Sequence, residues 1–292
     1  MSINITALYC CLDDFCKVFE EWERHRLIPS EKKRGRAGKL SLSEMLFIMV
    51  LFHLSPFRHF KAFYRYGVGY QYRGCFDEIP HYDRFVSLMP RLFAPLMILL
   101  HCLRGEETGI YFADSTKLAV CHNRRISRHK VFDGLAARGK TSMGWFYGLK
   151  LHFVINHKGE IMAVKITPGN TADSAVLQDI SKRLAGKLYA DKGYLGQELF
   201  KQLWRRGLHL ITGIRRNMKN HLLPLADKII LRKRFLIETV LDTLKSEMGL
   251  EHSRHRSPVN AMVHVLSCLA AYAFRPGKPA LSVIDKQIEI YP

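Results

Sequence analysis

Gly109-Ile110-Tyr111-Phe112-Ala113-Asp114 and Lys187-Leu188-Tyr189-Ala190-Asp191 are two short apolar runs, each ending on an aspartate. Residues 110–113 and 188–190 are too apolar and aromatic for solvated loops, and their length suits buried strands. Gly193, two residues past the second aspartate, permits a tight turn after that strand. Further on, Arg234-Phe235-Leu236-Ile237-Glu238-Thr239-Val240-Leu241-Asp242-Thr243-Leu244-Lys245 reads as a helix. At 3.6 residues per turn, Arg234 (four before Glu238) and Lys245 (seven after it) share nearly one face with the glutamate. Either cation alone reads as part of an ordinary salt-bridged surface helix. With two strand-end aspartates, however, the glutamate completes a three-carboxylate pocket. Mg²⁺ takes such hard oxygen ligands and keeps positions for water and substrate phosphate. Two such ions can clamp the attacking and leaving oxygens of a phosphoryl displacement.

In the order Asp114, Asp191, Glu238 the chain resembles the DDE transposases, whose catalytic domain is similar to RNase H and retroviral integrase. Arg234, three residues, Glu238, six residues, Lys245 matches the R-(3)-E-(6)-K part of the signature known as YREK. The signature's tyrosine falls at Leu231 and is missing. Further matching stretches are His81-Tyr82-Asp83-Arg84-Phe85-Val86, Gly144-Trp145-Phe146-Tyr147-Gly148-Leu149-Lys150-Leu151-His152 and Ser253-Arg254-His255-Arg256-Ser257-Pro258-Val259-Asn260. Together these look most like bacterial insertion-sequence family 982, over residues 5–281.

The resemblance implies an α/β fold: an RNase H-like mixed sheet flanked by helices, preceded by an all-α N-terminal region. It implies an enzyme that binds the terminal inverted repeats of its element, hydrolyses a strand at each end and joins the freed 3′-OH to target DNA. Asp114, Asp191 and Glu238 would be the catalytic residues and would hold two Mg²⁺ ions, with Mn²⁺ expected to substitute. Arg234 and Lys245 would bind phosphates beside the scissile bond, Arg by a planar fork and Lys as a point charge. Joining two ends makes a homodimer the expected active complex. Two other classes compete: an RNase H-like nuclease or resolvase that cuts without joining, and an inactive transposase-derived DNA-binding protein.

Composition points the same way. Lys and Arg total 45 against 26 acidic residues, a net charge of +19, with a pI near 9.8. Such an excess favours polyanions, chiefly nucleic acid or, more weakly, anionic lipid, and the resemblance implies that the partner is double-stranded DNA. No apolar stretch is read as reaching the ~20 residues of a membrane helix; Leu92–Leu100 reads as short and broken by Pro95. No signal peptide is visible at residues 1–6. Seven cysteines without a CxxC pair suit free thiols in a reducing cytoplasm; the resemblance implies a bacterial protein on nucleoid DNA. His264 and Cys268, four apart in an apolar helix, read as core packing. No P-loop or GxGxxG pattern suggests a nucleotide.

Residues 1–105 read as a helical, basic DNA-binding region, 106–281 as the catalytic domain and 282–292 as a disordered tail. Leu8–Arg26 is a helix, followed by a cationic connector in which Lys32, Lys33, Arg34 and Arg36 suit a phosphate backbone. Ser41 and Glu44 form a capping box that opens an apolar helix to Leu54. Ser55-Pro56 breaks it, and Phe57–Tyr66, with Arg58 and Lys61, restarts a helix that suits a helix-turn-helix reader. Another helix or two span Tyr82–Leu100. Then come a strand over Tyr111–Val120, a basic insert at 122–140 with Arg124 and Arg125, and a hairpin of Leu149–Ile155 with Glu160–Thr167. Thr171 caps a helix to Leu184; Leu199–Arg206 and residues 232–248 are helices around a strand at Leu208–Gly213, and Val259–Ala273 closes the domain. Trp145 reads either as a stacking platform for an unpaired base or as a buried aromatic at the hairpin edge.

Overall fold

The computed structural model describes residues 4–25, 38–142, 144–214, 223–251 and 255–281. The chain forms two compact units. Met1–Leu103, Met248–Leu250 and Arg256–Pro276 make the first; Arg104–Glu247, Glu251–His255 and Gly277–Pro292 make the second. Lys32, Lys33, Arg34, Arg36, Ser253, Arg254 and the expected tail at 282–292 lie outside the described residues.

In the first unit, α1 (Ile5–Arg24) starts where the Asn4 side chain accepts the Ala7 N–H at 3.0 Å. It buries Leu8, Leu12, Cys16 and Phe19, an i, i+4, i+8, i+11 stripe. Helix α2 (Leu42–Leu54) opens on the Ser41–Glu44 capping box that the spacing predicts. Ser43 and every residue of Met45–His53 are buried, so α2 is a core helix. The stretch after it departs from the expected regular helix. A single turn, α3 (Phe60–Ala62), runs into a π-wound segment at Phe63–Gln71, and the Tyr64 hydroxyl there donates to Pro80 O at 2.7 Å. A buried helix followed by a wide-wound one does not form the regular recognition pair of a helix-turn-helix.

Next come α4 (Tyr82–Leu88), a 3₁₀ turn at Met89–Leu92 and α5 (Phe93–Cys102). Pro95 lies in the first turn of α5, where its missing N–H has no intrahelical acceptor to lose, so it opens the helix instead of breaking it. Tyr82–Cys102 is consequently long and apolar enough, by length and composition, to cross a membrane, contrary to the expectation from sequence. Phe85, Leu92, Leu96 and Leu99 are buried within the unit, as in a core helix.

The second unit is built on a six-stranded sheet of β1 (Ile110–Cys121), β2 (Ala137–Thr141), β3 (Gly144–Asn156), β4 (Ile161–Pro168), β5 (Gly186–Ala190) and β6 (Leu208–Thr212). The order is β2-β3-β1-β5-β6, with β4 also paired to β3. Strands β1, β3 and β4 run antiparallel; β5 and β6 lie parallel to β1 after crossovers through α6 (Asp173–Ile180) and α7 (Gln197–Arg205). This is the expected mixed sheet flanked by helices. Strand β2 begins inside the insert at 122–140, which carried no predicted strand, and ends one residue beyond it. Thr171 does not cap α6; Ala172 holds the cap position without a side-chain bond. Tyr111, Ala113, Leu188 and Ala190 face a core with Leu177 and Leu203, so period-2 alternation sends Phe112, Asp114 and Tyr189 to the opposite face. Gly186 (φ +108°) starts β5 against β1; a Cβ there would stand 2.4 Å from Gly109 O.

The expected helix over 232–248 is three pieces. Helix α8 (Leu225–Arg232) ends before a turn at Lys233–Arg234, α9 (Phe235–Asp242) follows, and Thr243–Glu247 is π-wound.

Helix α10 (Pro258–Phe274) packs on α2 and α5 in the first unit, whereas the sequence reading places it in the catalytic domain. His53 on α2 is wholly buried; its Nδ1 bonds Met248 O at 2.7 Å and its Nε2 pairs with Ser267 Oγ at 3.0 Å. Burial, with His264 beside it, holds the His53 imidazole well below its usual range and therefore neutral. His264 and Cys268 are core residues, as expected. A fragment of residues 1–105 lacks Val263, Leu266, Leu269 and Tyr272 from this core. At ~1.5–3 kcal/mol for each buried large side chain, the loss rivals a domain's net stability of ~5–15 kcal/mol. The fragment is expected to show no cooperative melt by circular dichroism; a sharp transition matching the intact chain's would refute this.

Candidate active site

Strands β1 and β5 place the two aspartates side by side. Their parallel register pairs Phe112 with Tyr189 and Ala113 with Ala190, and the next residue on each is Asp114 and Asp191. Asp114 accepts the Ser115 N–H at 2.8 Å. Helix α9 packs on β1 and brings Glu238 to the same region. Arg234, at the α9 N-cap position, links the two carboxylates. Its guanidinium donates to Glu238 Oε1 at 2.7 Å and stands 3.5 Å from Asp114 Oδ2.

Electrostatics mark Asp114 as the strained member. Burial pushes its carboxyl up to about 6; the Ser115 N–H and Arg234 pull it down, and Glu238 and Asp191 add to the rise. Asp191 and Glu238 are more exposed. Among the described residues, no three His, Cys, Asp or Glu side chains converge as they would on a preformed ion. Arg234 supplies the positive charge between Asp114 and Glu238 instead.

Lys245 behaves differently from Arg234. Its ammonium pairs with Glu251 at 2.9 Å, and the π-wound segment after Asp242 shifts it off the 3.6-residue count that aligned it with Glu238. Of the other basic candidates, Arg58 and Lys61 are exposed, the latter 5.6 Å over the Tyr82 ring. Arg124 and Arg125 are exposed on a 3₁₀ turn at Asn123–Arg128. Trp145 is 64% exposed, so the buried alternative is excluded; Lys140 lies 5.7 Å over its ring and Asn123 donates to its carbonyl at 2.8 Å.

Two groups escaped the sequence reading. On the α6 side of β1, His152 pairs across the ladder with Ser115, the neighbour of Asp114. Its Nδ1 lies 3.5 Å from Asp173 Oδ1, and Lys150 Nζ is 3.2 Å from the same oxygen. Burial lowers His152 to about 4, outweighing Asp173, so it is neutral at pH 7. Tyr194, buried beside them, has its hydroxyl pushed far up by burial, with Asp173 and Asp114 adding to it. The second group is a tie. Buried Asp227 on α8 accepts from Tyr189 OH at 2.7 Å and Lys187 Nζ at 2.8 Å, fastening the helix that leads to α9 onto the strand that leads to Asp191. Lys150 and His152, or Lys187 and Tyr189, at alternate strand positions were the available signal.

The model for the transposase DDE domain matches residues 104–258, just over half of the chain. This chain belongs to the transposase DDE domain family. Its fold is similar to that of the piggyBac transposase, solved as a synaptic complex with hairpin DNA. The likeness covers 94% of this chain and 74% of that one, with a TM-score of 0.55 at 11% identity. The Mos1 strand transfer complex and the Mos1 mariner paired end complex with Mn match at TM-scores of 0.25 and 0.24, each at 11% identity. They cover 88% of this chain and 85% and 86% of theirs, a level that adds nothing to the fold argument. No curated protein matches the chain in sequence.

DDE transposases use divalent metal ions. All three candidates offer the hard oxygen that such an ion takes, without converging on a preformed site. Burial is what chiefly raises the Asp114 carboxyl, and a divalent cation beside it would favour its ionised form.

Proposed function

We propose that this DDE transposase is an insertion-sequence transposase of the family 982 type, acting in a bacterial cytoplasm. It binds the terminal inverted repeats of its element, cuts at each end and joins the 3′-OH to target DNA. Asp114, Asp191 and Glu238 are the catalytic carboxylates and would hold two Mg²⁺ ions, with Mn²⁺ as a substitute. Held by these carboxylates, the metal would supply activation of the attacking water or 3′-OH and stabilisation of the leaving oxygen.

The observation that carries this reading is the juxtaposition of Asp114 with Asp191 on adjacent parallel strands, with Glu238 bridged to Asp114 through Arg234. Arg234 offers a planar fork, so with the carboxylates occupied it is free to hold a phosphate of the bound strand. Lys245, Arg58, Lys61, Arg124, Arg125 and Trp145 bind DNA backbone or unpaired bases away from the carboxylates, together with Lys32, Lys33, Arg34 and Arg36. The helical region at 1–105 supplies end binding, the domain at 106–281 the chemistry, and two copies act together to bring two ends to one target.

The test supplies pre-cut end DNA and a supercoiled target with Mg²⁺ or Mn²⁺. Joined product from end DNA, and none from a scrambled end, is the expected outcome. Cutting without joining would leave the nuclease reading, and binding without either reaction the inactive one.

A further inference from the structure

Helix α7 carries two aromatic side chains that its own packing does not use. Leu199 and Leu203 anchor it in the core, while Phe200 and Trp204 are 44% and 53% exposed. Their rings stack at 5.9 Å with an interplanar angle of 21°. The Trp204 indole in turn lies 3.9 Å from the His209 ring at 16°, giving a three-ring ladder from α7 onto β6. A shallow cavity of about 250 Å³ opens beside it, lined by Phe200, Lys201, Trp204 and Arg205. Lys201 and Arg205 are both exposed, and no carboxylate lines the cavity.

We propose that this face of α7 is a binding platform for unpaired DNA, with a base stacked on the outer Phe200 face of the ladder that Trp204 backs and phosphates held by Lys201 and Arg205. Planar rings flanked by cations are what an unpaired strand complements, because every nucleotide brings one base face and one phosphate. A duplex hides its base faces and meets only the two cations. An apolar protein segment would cover the rings but bury two unpaired cations. The chain's net charge of +19 draws polyanions to such a surface. Trp145, on β3, is a separate position. The platform rests on the transposase reading only for the source of the strand, which cutting and joining would expose.

The test measures binding of the full chain, without divalent metal, to a labelled oligothymidylate of about 12 nucleotides. An abasic strand and a duplex of equal length serve as comparisons. Wild type is expected to prefer the oligothymidylate over the abasic strand by about tenfold, a modest return for one stacked base. Phe200→Ala with Trp204→Ala should bring that preference close to unity and leave duplex binding unchanged, while Trp204→Phe keeps most of it. Lys201→Gln with Arg205→Gln should weaken both single strands alike and flatten the log–log salt slope by about 1.4. An unchanged preference in the double alanine variant overturns the platform. So does a shift of that variant from dimer to monomer in sedimentation, which would make the face an interface between copies. Cleavage of element ends by wild type on the same preparation reports on the transposase reading alone.

Discussion

Asp114→Asn is expected to stabilise the metal-free protein above pH 7 and to abolish cleavage and joining together. The sign follows from the carboxyl's raised position, about 6 against an ordinary 3.8. A carboxyl whose folded value is raised contributes stability below the unfolded value and loses it as pH rises through the folded one. At pH 8 Asp114 is therefore ionised at a cost of about 2–3 kcal/mol, which asparagine removes while keeping an oxygen for the Ser115 N–H. In a thermal scan that is a rise of roughly 4–8 °C at pH 8, shrinking to nothing below about pH 4. Asp191→Asn should shift stability in the same direction by less, because Asp191 only adds to the rise on Asp114, and Glu238→Gln, which also gives up the charge pair with Arg234, should leave stability near wild type. On the proposed function one set of carboxylates serves both reactions, so all three should reduce strand cleavage by at least ~10³-fold. DNA binding, carried by 45 cations, should persist. Asp242→Asn, one turn beyond Glu238 and exposed, should retain activity. Activity surviving Glu238→Gln but lost in Asp242→Asn would show the third carboxylate to be wrongly chosen.

The parts of this site visible in the sequence are those where a strand's character and its chemistry coincide. Ile110–Ala113 and Leu188–Ala190 are apolar because both faces of the central strands are covered, so the aspartates that end them stand out. Strand β2 was hidden for the opposite reason. Ala137-Arg138-Gly139-Lys140-Thr141 pairs with β3 alone and alternates cations with small residues, which reads as a loop. The break at Lys233–Arg234 was also hidden. Counting 3.6 residues per turn from Arg234 to Glu238 gives the right neighbour, because the first turn of α9 brings them together, but says nothing of where α8 stops. The same count fails for Lys245, since nothing in Thr243–Glu247 announces π winding. Long-range partners leave the least trace. Asp227 pairs with residues 40 and 38 positions earlier, and α10 joins α2 and α5 across the whole catalytic domain.

Arg234→Ala should damage chemistry far more than DNA binding, and in a manner that depends on pH. The guanidinium is one of 45 cations, so affinity for DNA should change less than about twofold and the salt slope by about 0.9 at most. Cleavage should fall by ~10²-fold, the scale of losing one preorganised donor beside the reacting phosphate. Arg234 also lowers the Asp114 carboxyl, so its removal lifts that group further above 6. The acidic limb of the cleavage–pH profile should therefore move to higher pH, because a protonated Asp114 is a poor ligand. Stability should drop by about 1–2 kcal/mol above pH 7, where Asp114 is ionised without its guanidinium partner, and recover below about pH 4. Arg234→Lys separates the two effects. It keeps the charge and so most of the stability and the pH limb, but loses the fork that reaches two oxygens at once. Adding Asp114→Asn to Arg234→Ala should cancel most of the stability loss and none of the activity loss. If Arg234→Ala cleaves at the wild-type rate across the pH range, its contacts with Asp114 and Glu238 are a surface ion pair and no part of the chemistry.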